Sequence, residues 1–260
     1  MKKQIIDFKV IGNKRVNATH FILTLQSELP LPTMLPGQFV EVKVEGSPTT
    51  FLRRPISIHD VDYKSNKLLL LIQEKGDGTR KLADLKPGDN LNIVLPLGNS
   101  FTQASEGESV LLVGGGCGVA PLLFLARELN AKGVKVTTLM GARSQDMIME
   151  PENYSQFGEL LITTEDGSVG KKGFVIHHPI WWDTKPSFDR IYTCGPDPMM
   201  KAISKLADKY QINCEVSLEQ TMACGVGACL CCIVDTQRGH LCTCTDGPVF
   251  DYKELKNWID

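Results

Sequence analysis

Through the first hundred residues, hydrophobic and polar positions alternate or gather into short apolar runs. THFILTLQS, GQFVEVKVE, KLLLLIQEKGD and DNLNIVLPLG carry this pattern, and LPGQ and KPGD punctuate it as turns. Several short strands at that spacing predict a small antiparallel β barrel. After a polar break, TQASEGES, the period changes. VLLV precedes the helical APLLFLARELNAKG; KVTTLM, ELLITTED and RIYTC follow, and then a second helical stretch, PMMKAISKLADKY. Strand and helix in alternation predict a parallel sheet with covering helices. From about Cys214 the chain is short and cysteine-rich, too small to build a large core alone, and a bound metal would offset that deficit. The predicted fold is a β barrel plus an α/β domain, divided as barrel over 1–103, parallel sheet over 104–213 and cysteine segment over 214–260.

Composition narrows the class of function. A length of 260 residues with 42% apolar side chains suits an ordinary globular core. Basic and acidic residues number 28 and 30 and are interspersed, so the basic face that nucleic acid requires is missing and no nucleic-acid partner is expected. MKKQIIDFKVIGNKRV has charges on both sides of a short apolar run and no small-residue cleavage site, unlike a signal peptide. The longest uncharged stretch, 109–126, is broken by four glycines and a proline and falls short of the roughly 20 apolar residues that cross a bilayer. A cytoplasmic protein with no membrane partner is expected. In that reducing compartment, nine cysteines, an odd number, point to metal rather than to a disulfide framework.

The cysteines have a telling order. Cys224, Cys229 and Cys232 follow C-x4-C-x2-C, the spacing of plant-type 2Fe-2S ligands, which needs a fourth cysteine further on. Gly225 and Gly227 permit positive φ, so the loop between the first ligands can turn its N–H groups toward an anionic cluster. CIV, DTQRG and HLCTC read as a hairpin that returns the chain with two candidates for the fourth thiolate, Cys242 and Cys244. Residues two apart share a face, so alternation does not separate them. The competing reading is a zinc staple of four thiolates, but the Cys242-x-Cys244 pair misses the usual C-x2-C knuckle. Cys231, and whichever of Cys242 and Cys244 is left over, are expected to be packing residues.

Two further motifs concern nucleotides. VLLVGGGCGVAPLLFLARELN sets glycines between a strand and a helix, a context that brings phosphates to backbone N–H groups at a helix N-terminus. The run departs from G-x-G-x-x-G: counted from Gly116 and Gly118 it ends on Pro121, a residue suited to an early helical position. The second strand also lacks the terminal acidic residue that holds an adenosine ribose, and the plainer alternative is a tight structural turn. YTCGPDPMMKAI places Cys194 where another strand enters a Gly-Pro turn, at the strand ends where doubly wound folds bind ligands; alone, Cys194 reads as a small buried hydrophobe. In the barrel portion, FLRRPISIHD offers two arginines and a serine to an anionic cofactor, and GDGTRKL offers glycine N–H groups and a hydroxyl to phosphate. A basic surface loop and a helix cap would explain either one alone.

Taken in order, RPIS, GT, GGGCGVAP, CGPDPMM and CGVGACLCC…CTDGPVF resemble the ferredoxin-reductase superfamily over essentially the whole chain, most closely the electron transfer subunits of NAD-dependent (class 1B) dihydroorotate dehydrogenases. The resemblance implies an FAD-binding barrel, an NAD-binding domain and a C-terminal 2Fe-2S domain. It implies that Arg54, Pro55, Ile56 and Ser57 form the flavin motif, with Arg54 on the phosphates, Ser57 beside the isoalloxazine and Ile56 where the wider superfamily has tyrosine. Leu71, Ile72 and Gln73 match the strand that touches the flavin, and Gly78 and Thr79 its phosphate contact. Gly114, Gly115, Gly116, Gly118 and Pro121, with Cys194, Gly195 and Pro196, match the nicotinamide nucleotide site. The family's fourth ligand shortly precedes D-G-P-V-F, which selects Cys244. The implied partner is an FMN-containing dihydroorotate dehydrogenase catalytic subunit, two of each in a heterotetramer, with electrons passing through the cluster and FAD to NAD+ in pyrimidine biosynthesis. The flavin subunit of an NAD(P)H:ferredoxin oxidoreductase is the alternative; those relatives tend to carry aspartate at the position of Cys224. No residue of this chain need act as a general acid or base.

Overall fold

The computed structural model describes residues 2–182 and 186–259. The first part is one antiparallel sheet of β1 (Gln4–Arg15), β2 (His20–Gln26), β3 (Phe39–Val42), β4 (Arg54–Ser57), β5 (Asp60–Asp62), β6 (Lys67–Gln73) and β7 (Asn90–Leu97). Its spatial order is β4-β3-β7-β1-β2-β6-β5, so the hydrogen-bonded ladder runs between two edges, β4 and β5. The sheet curls until β4 meets β6 across the open side, which makes the expected barrel a half-barrel. Alternation sets the curl: Ile6, Phe8 and Val10 of β1 turn inward to join Leu23, Leu25, Leu68, Leu70 and Ile72. A short helix, α1 (Asp77–Ala83), follows β6 and closes one end with Leu82.

The second sheet contains β8 (Ser109–Gly115), β9 (Lys135–Ala142), β10 (Glu159–Thr164), β11 (Lys171–Lys172), β12 (Arg190–Cys194) and β13 (Asn213–Ser217), all parallel. The order β11-β10-β9-β8-β12-β13 reverses direction between β8 and β12. In open α/β sheets that reversal is where a ligand crevice opens. The register sets Gly114 beside Cys194, so both glycine-bearing loops leave the sheet at the same point. Helix α2 (Ala120–Ala131) is apolar nearly all round because it is covered on both sides. Its Phe124 enters the half-barrel core, while Leu122, Leu125 and Leu129 pack on the parallel sheet. β6 shows the same double burial: Leu70 and Ile72 face the half-barrel and Leu71 faces the α2 side, which explains its unbroken LLLLI run. Among the described residues, the other two α-helices are α3 (Pro151–Ser155) and the amphipathic α4 (Asp197–Tyr210), which buries Met200, Ile203 and Ala207.

The cysteine segment is threaded into this sheet. β13, which the sequence boundary at 213 and 214 nearly severs from the α/β part, is one of its strands. The chain then leaves to form the hairpin of β14 (Ile233–Thr236) and β15 (Gly239–Cys242) and returns as β16 (Val249–Asp251), antiparallel to β13. Met222, Cys232, Cys242 and Cys244 pack on Phe39 and Leu97 of the half-barrel. No helix among the described residues is long and apolar enough to cross a membrane.

Candidate functional site

Two clefts open along the seam between the sheets. The first, about 750 Å³, runs from the α1 end of the half-barrel to the cysteine segment. Its walls bring together Arg54, Pro55, Ile56 and Ser57 of β4, Leu71, Ile72 and Gln73 of β6, Gly78 and Thr79 of α1, and Cys194. Positions 54–57 and 71–79 converge because β4 and β6 close the curl, and Cys194 joins them from β12 of the parallel sheet. A Cβ on Gly78 would lie 3.0 Å from Thr50 Cγ2 and 3.1 Å from Arg54 Cδ, so α1 packs closely on both side chains and a larger residue would push them back by a few tenths of an ångström. The Thr79 hydroxyl accepts the N–H groups of Lys75 and Gly76 at 2.9 and 3.1 Å, shaping the turn itself. Of the two arginines in FLRRPISIHD, only Arg54 lines the cleft; Arg53 donates to the carbonyls of Glu41 and Asn92.

The second cleft, about 740 Å³, lies over the sheet reversal. Gly115, Gly116 and Gly118 line it from one loop, and Gly195 and Pro196 from the other. The loops nearly touch: a Cβ on Gly118 would stand 2.3 Å from the Cys194 carbonyl oxygen. Gly114 and Pro121 serve the frame instead. A Cβ on Gly114 would meet Val119 Cγ1 at 2.7 Å, and Pro121 is buried in the first turn of α2. Gln73, Lys75, Cys117 and Glu219 line both clefts and form their common wall. There crowding pushes the Cys117 thiol up to about 12, by burial first and then by the Glu219 carboxylate. Burial also raises the Glu219 carboxyl, against the pull of Lys75, although solvent still reaches its side chain through the clefts.

At the far end of the first cleft sits the cysteine loop. Among the described residues, no three histidine, cysteine, aspartate or glutamate side chains are drawn into a ready-made metal shell. The thiols lie close together, Cys224 beside Cys229 and Cys232 beside both Cys242 and Cys244. Gly225 and Gly227 both hold positive φ, 65° and 82°. Their turn directs the N–H groups of Val226, Ala228 and Cys229 at Cys224 Sγ, at 3.4, 3.3 and 3.4 Å. The Val226 N–H, ahead of the others and against burial, holds the Cys224 thiol down to about 6. Gly227 N–H reaches Cys244 Sγ at 3.2 Å, and burial pushes that thiol up to about 12. The donor set, four thiols with N–H groups aimed at sulfur, is the chemistry of an anionic iron–sulfur site. Cys231 is exposed at the surface, against the expectation that it packs.

Several residues here carry no motif. Ser217, Glu219, Thr221, Met222 and Pro248 line the first cleft because β13 and β16 deliver both ends of the cysteine segment to it. Glu41 of β3 is 1% exposed and neither carboxylate oxygen has a hydrogen-bond partner. It lies under the cysteine loop, where a Cβ on Gly225 would fall 2.7 Å from its Cγ. Burial pushes its carboxyl up to about 7, with Arg54 and Arg53 pulling down and Cys224 adding to the rise. A polar residue in a short alternating strand carries no sign of such burial.

A curled antiparallel sheet and a parallel sheet that share one seam, with nucleotide-sized clefts meeting at a common wall, define an oxidoreductase of the ferredoxin-reductase fold. The solved structure of an NADH-dependent reduced ferredoxin–NADP oxidoreductase, described for flavin-based electron bifurcation, superposes with a TM-score of 0.88 at 30% identity, covering 96% of this chain and 89% of that one. A ferredoxin reductase of carbazole 1,9a-dioxygenase shares the fold at a TM-score of 0.70 and 19% identity, covering 82% of this chain and 67% of that one. Residues 219–256 match the iron-sulfur cluster binding domain of dihydroorotate dehydrogenase B. The dihydroorotate dehydrogenase B (NAD(+)) electron transfer subunit of Lysinibacillus sphaericus (strain C3-41) is 40% identical over 248 residues, 93% of this chain and 95% of the relative. That of Shouchella clausii (strain KSM-K16) is 37% identical over 261 residues, 98% of this chain and 99% of the relative. The chain belongs to the family of dihydroorotate dehydrogenase B (NAD(+)) electron transfer subunits.

Proposed function

We propose that this chain carries electrons from a dihydroorotate-oxidising catalytic partner, which holds FMN, to NAD+, working in the cytoplasm as one half of a heterotetramer with two copies of each subunit. The observation that carries the reading is the linear arrangement: cysteine loop, first cleft, shared wall of Gln73, Lys75, Cys117 and Glu219, second cleft. In this arrangement a 2Fe-2S cluster supplies one-electron passage, and FAD supplies the change from single electrons to a hydride pair. Arg54 offers positive charge to the FAD phosphates, and the half-barrel residues Ile56, Ser57, Leu71, Ile72 and Gln73 offer a wall for the ring system. Gly115, Gly116 and Gly118, with Gly195 and Pro196, leave room for the NAD pyrophosphate at the sheet reversal. Cys224, Cys229, Cys232 and Cys244 hold the cluster, and the Gly227 N–H on Cys244 Sγ supports Cys244 over Cys242.

The chain purified anaerobically with its partner should reduce NAD+ in the presence of dihydroorotate, yielding orotate and NADH together. The likeness to the ferredoxin–NADP oxidoreductase favours one rival reading, a flavin subunit acting between NAD(P)H and ferredoxin. A preparation that holds FAD and iron but ignores dihydroorotate, while reducing ferredoxin from NAD(P)H, would assign the chain to that rival.

A further inference from the structure

Two residues beyond the end of β4 stands a histidine that no proposed cofactor contact uses. His59 is fully buried, at 0% exposure. Its Nδ1 lies 2.8 Å from the carbonyl oxygen of Ala120, the residue at which the glycine loop becomes α2. Its Nε2 lies 2.9 Å from Glu150 Oε2. A carbonyl only accepts, so Nδ1 carries a proton, and the Nε2–Oε2 contact holds a second proton between imidazole and carboxyl. Burial alone would raise the Glu150 carboxyl; the hydrogen bond and charge of His59, with Lys14 and Asn153, outweigh it and keep it low. Turning the ring would orphan buried polar groups at both ends, which fixes its orientation.

Neighbouring contacts tighten the same joint. Phe124 N–H reaches the His59 carbonyl at 3.2 Å, and Asp60 pairs with Arg127 of α2 at 2.9 Å. Glu150 holds a left-handed backbone, φ 49°, that a non-glycine residue keeps only when its surroundings impose it. One turn on, the Tyr154 hydroxyl donates to the Val119 carbonyl at 2.7 Å. Consecutive carbonyls at the loop exit, Val119 and Ala120, are thus each held by a different element, one from α3 and one from the half-barrel.

We propose that His59, braced by Glu150, is a positioning residue for hydride transfer: it fixes the exit of the glycine loop, and with it the nicotinamide, against the flavin strand that ends at Ser57. The proposal rests on the assignment of the first cleft to FAD and the second to NAD. It concerns the step in which two electrons and one proton move as hydride between nicotinamide and flavin, a step in which a misplacement of about 1 Å costs on the order of 100-fold.

The test is stopped-flow reduction of the FAD in the full, cofactor-loaded complex, driven from either side. In His59→Ala the limiting rate with NADH should fall roughly 100-fold while the half-saturating NADH concentration changes less than about threefold. Flavin content, iron content and reduction from the dihydroorotate side should stay at wild-type levels. His59→Asn, whose amide can replace Nδ1–H toward Ala120, should recover about tenfold of the loss, keeping the test open if the alanine variant folds poorly. An unchanged NADH rate in flavin-replete His59→Ala would overturn the proposal, as would an equal loss from both sides. Wild-type protein whose flavin is not reduced by NADH at all would overturn the cleft assignment instead.

Discussion

Two glycine-bearing loops in this chain, each proposed above to face an anion, are built differently. The loop over 114–121 is formed by tertiary packing: its glycines are spaces into which Val119, Met199 and the Cys194 carbonyl already press, and its exit is held by His59 and Tyr154. The loop over 224–232 is shaped chiefly by its own turns, with glycines at positive φ and N–H groups turned onto Cys224 Sγ; it rests on Glu41 and Thr245 and leaves Val226 and Leu230 exposed. The first should keep its shape without a ligand; the second depends on what its thiolates bind. A nucleotide that comes and goes suits a preformed site, and a resident cluster suits one completed by its metal.

The sharpest way to break this contrast is at sulfur. Cys224→Ser or Cys244→Ser should remove the cluster and abolish transfer from dihydroorotate, while NADH oxidation by an artificial acceptor stays largely intact; iron analysis and the two assays check this. Cys242→Ser should retain iron, and a loss of cluster equal to that of Cys244→Ser would reverse the choice of ligand.

Next in size is Gly118→Ala. Its new methyl would press on backbone, Cys194 carbonyl oxygen at 2.3 Å, so the two glycine loops must separate. Overpacking of this kind costs about 1–3 kcal/mol, to be seen as a lower Tm, and NADH-dependent flavin reduction should fall by roughly 100-fold. An equal insertion at Gly116, which meets nothing within 4 Å but holds φ +54°, should cost about 1 kcal/mol or a little more through backbone strain alone.

Arg54→Ala should weaken FAD retention by about tenfold to a hundredfold, the value of charge-assisted hydrogen bonds near 1.5–3 kcal/mol. Arg53→Ala should leave FAD bound and lower Tm instead, because its guanidinium joins β3 to β7. Equilibrium dialysis with FAD separates the two.

The last effect appears only as a dependence on pH. Glu41 has its carboxyl raised from 4.5 to about 7 in the folded chain, so the folded state binds the extra proton and stability falls as pH rises between those values. Glu41→Gln should flatten that slope, by up to about 3 kcal/mol in denaturant titrations across the window. A slope unchanged by the substitution would show that the carboxylate finds a partner on ionising.

The contrast between the loops also explains what the sequence discloses. C-x4-C-x2-C is legible because a cluster loop is local, its ligands set by spacing and its turns by Gly225 and Gly227. The strand-to-helix frame of the glycine loop is legible for the same reason, and so is the change from period two to helical period near residue 104. The choice of fourth ligand is not: the sequence suggests one strand face for Cys242 and Cys244, but β15 ends at Cys242, Cys244 lies in the turn beyond it, and only the fold brings the Gly227 N–H to Cys244. Arg53 and Arg54 alternate in direction, but which one meets the cleft depends on how β4 curls toward β6. Glu41 reads as the polar position of FVEV, yet all four residues are buried since the cysteine segment covers the face that alternation assigns to water. His59 reads as a polar strand end, and its partners lie 61 and 91 residues away.

The path of the chain between β13 and β16 has a bearing on how the protein is made. Strand β16 is synthesised after every cysteine of the cluster loop, and in the folded chain it covers the edge of β13. Without it, β13 would end the parallel sheet as an uncovered edge open to pairing with another chain. The strand that protects this edge is thus the last to leave the ribosome, behind the whole cysteine segment.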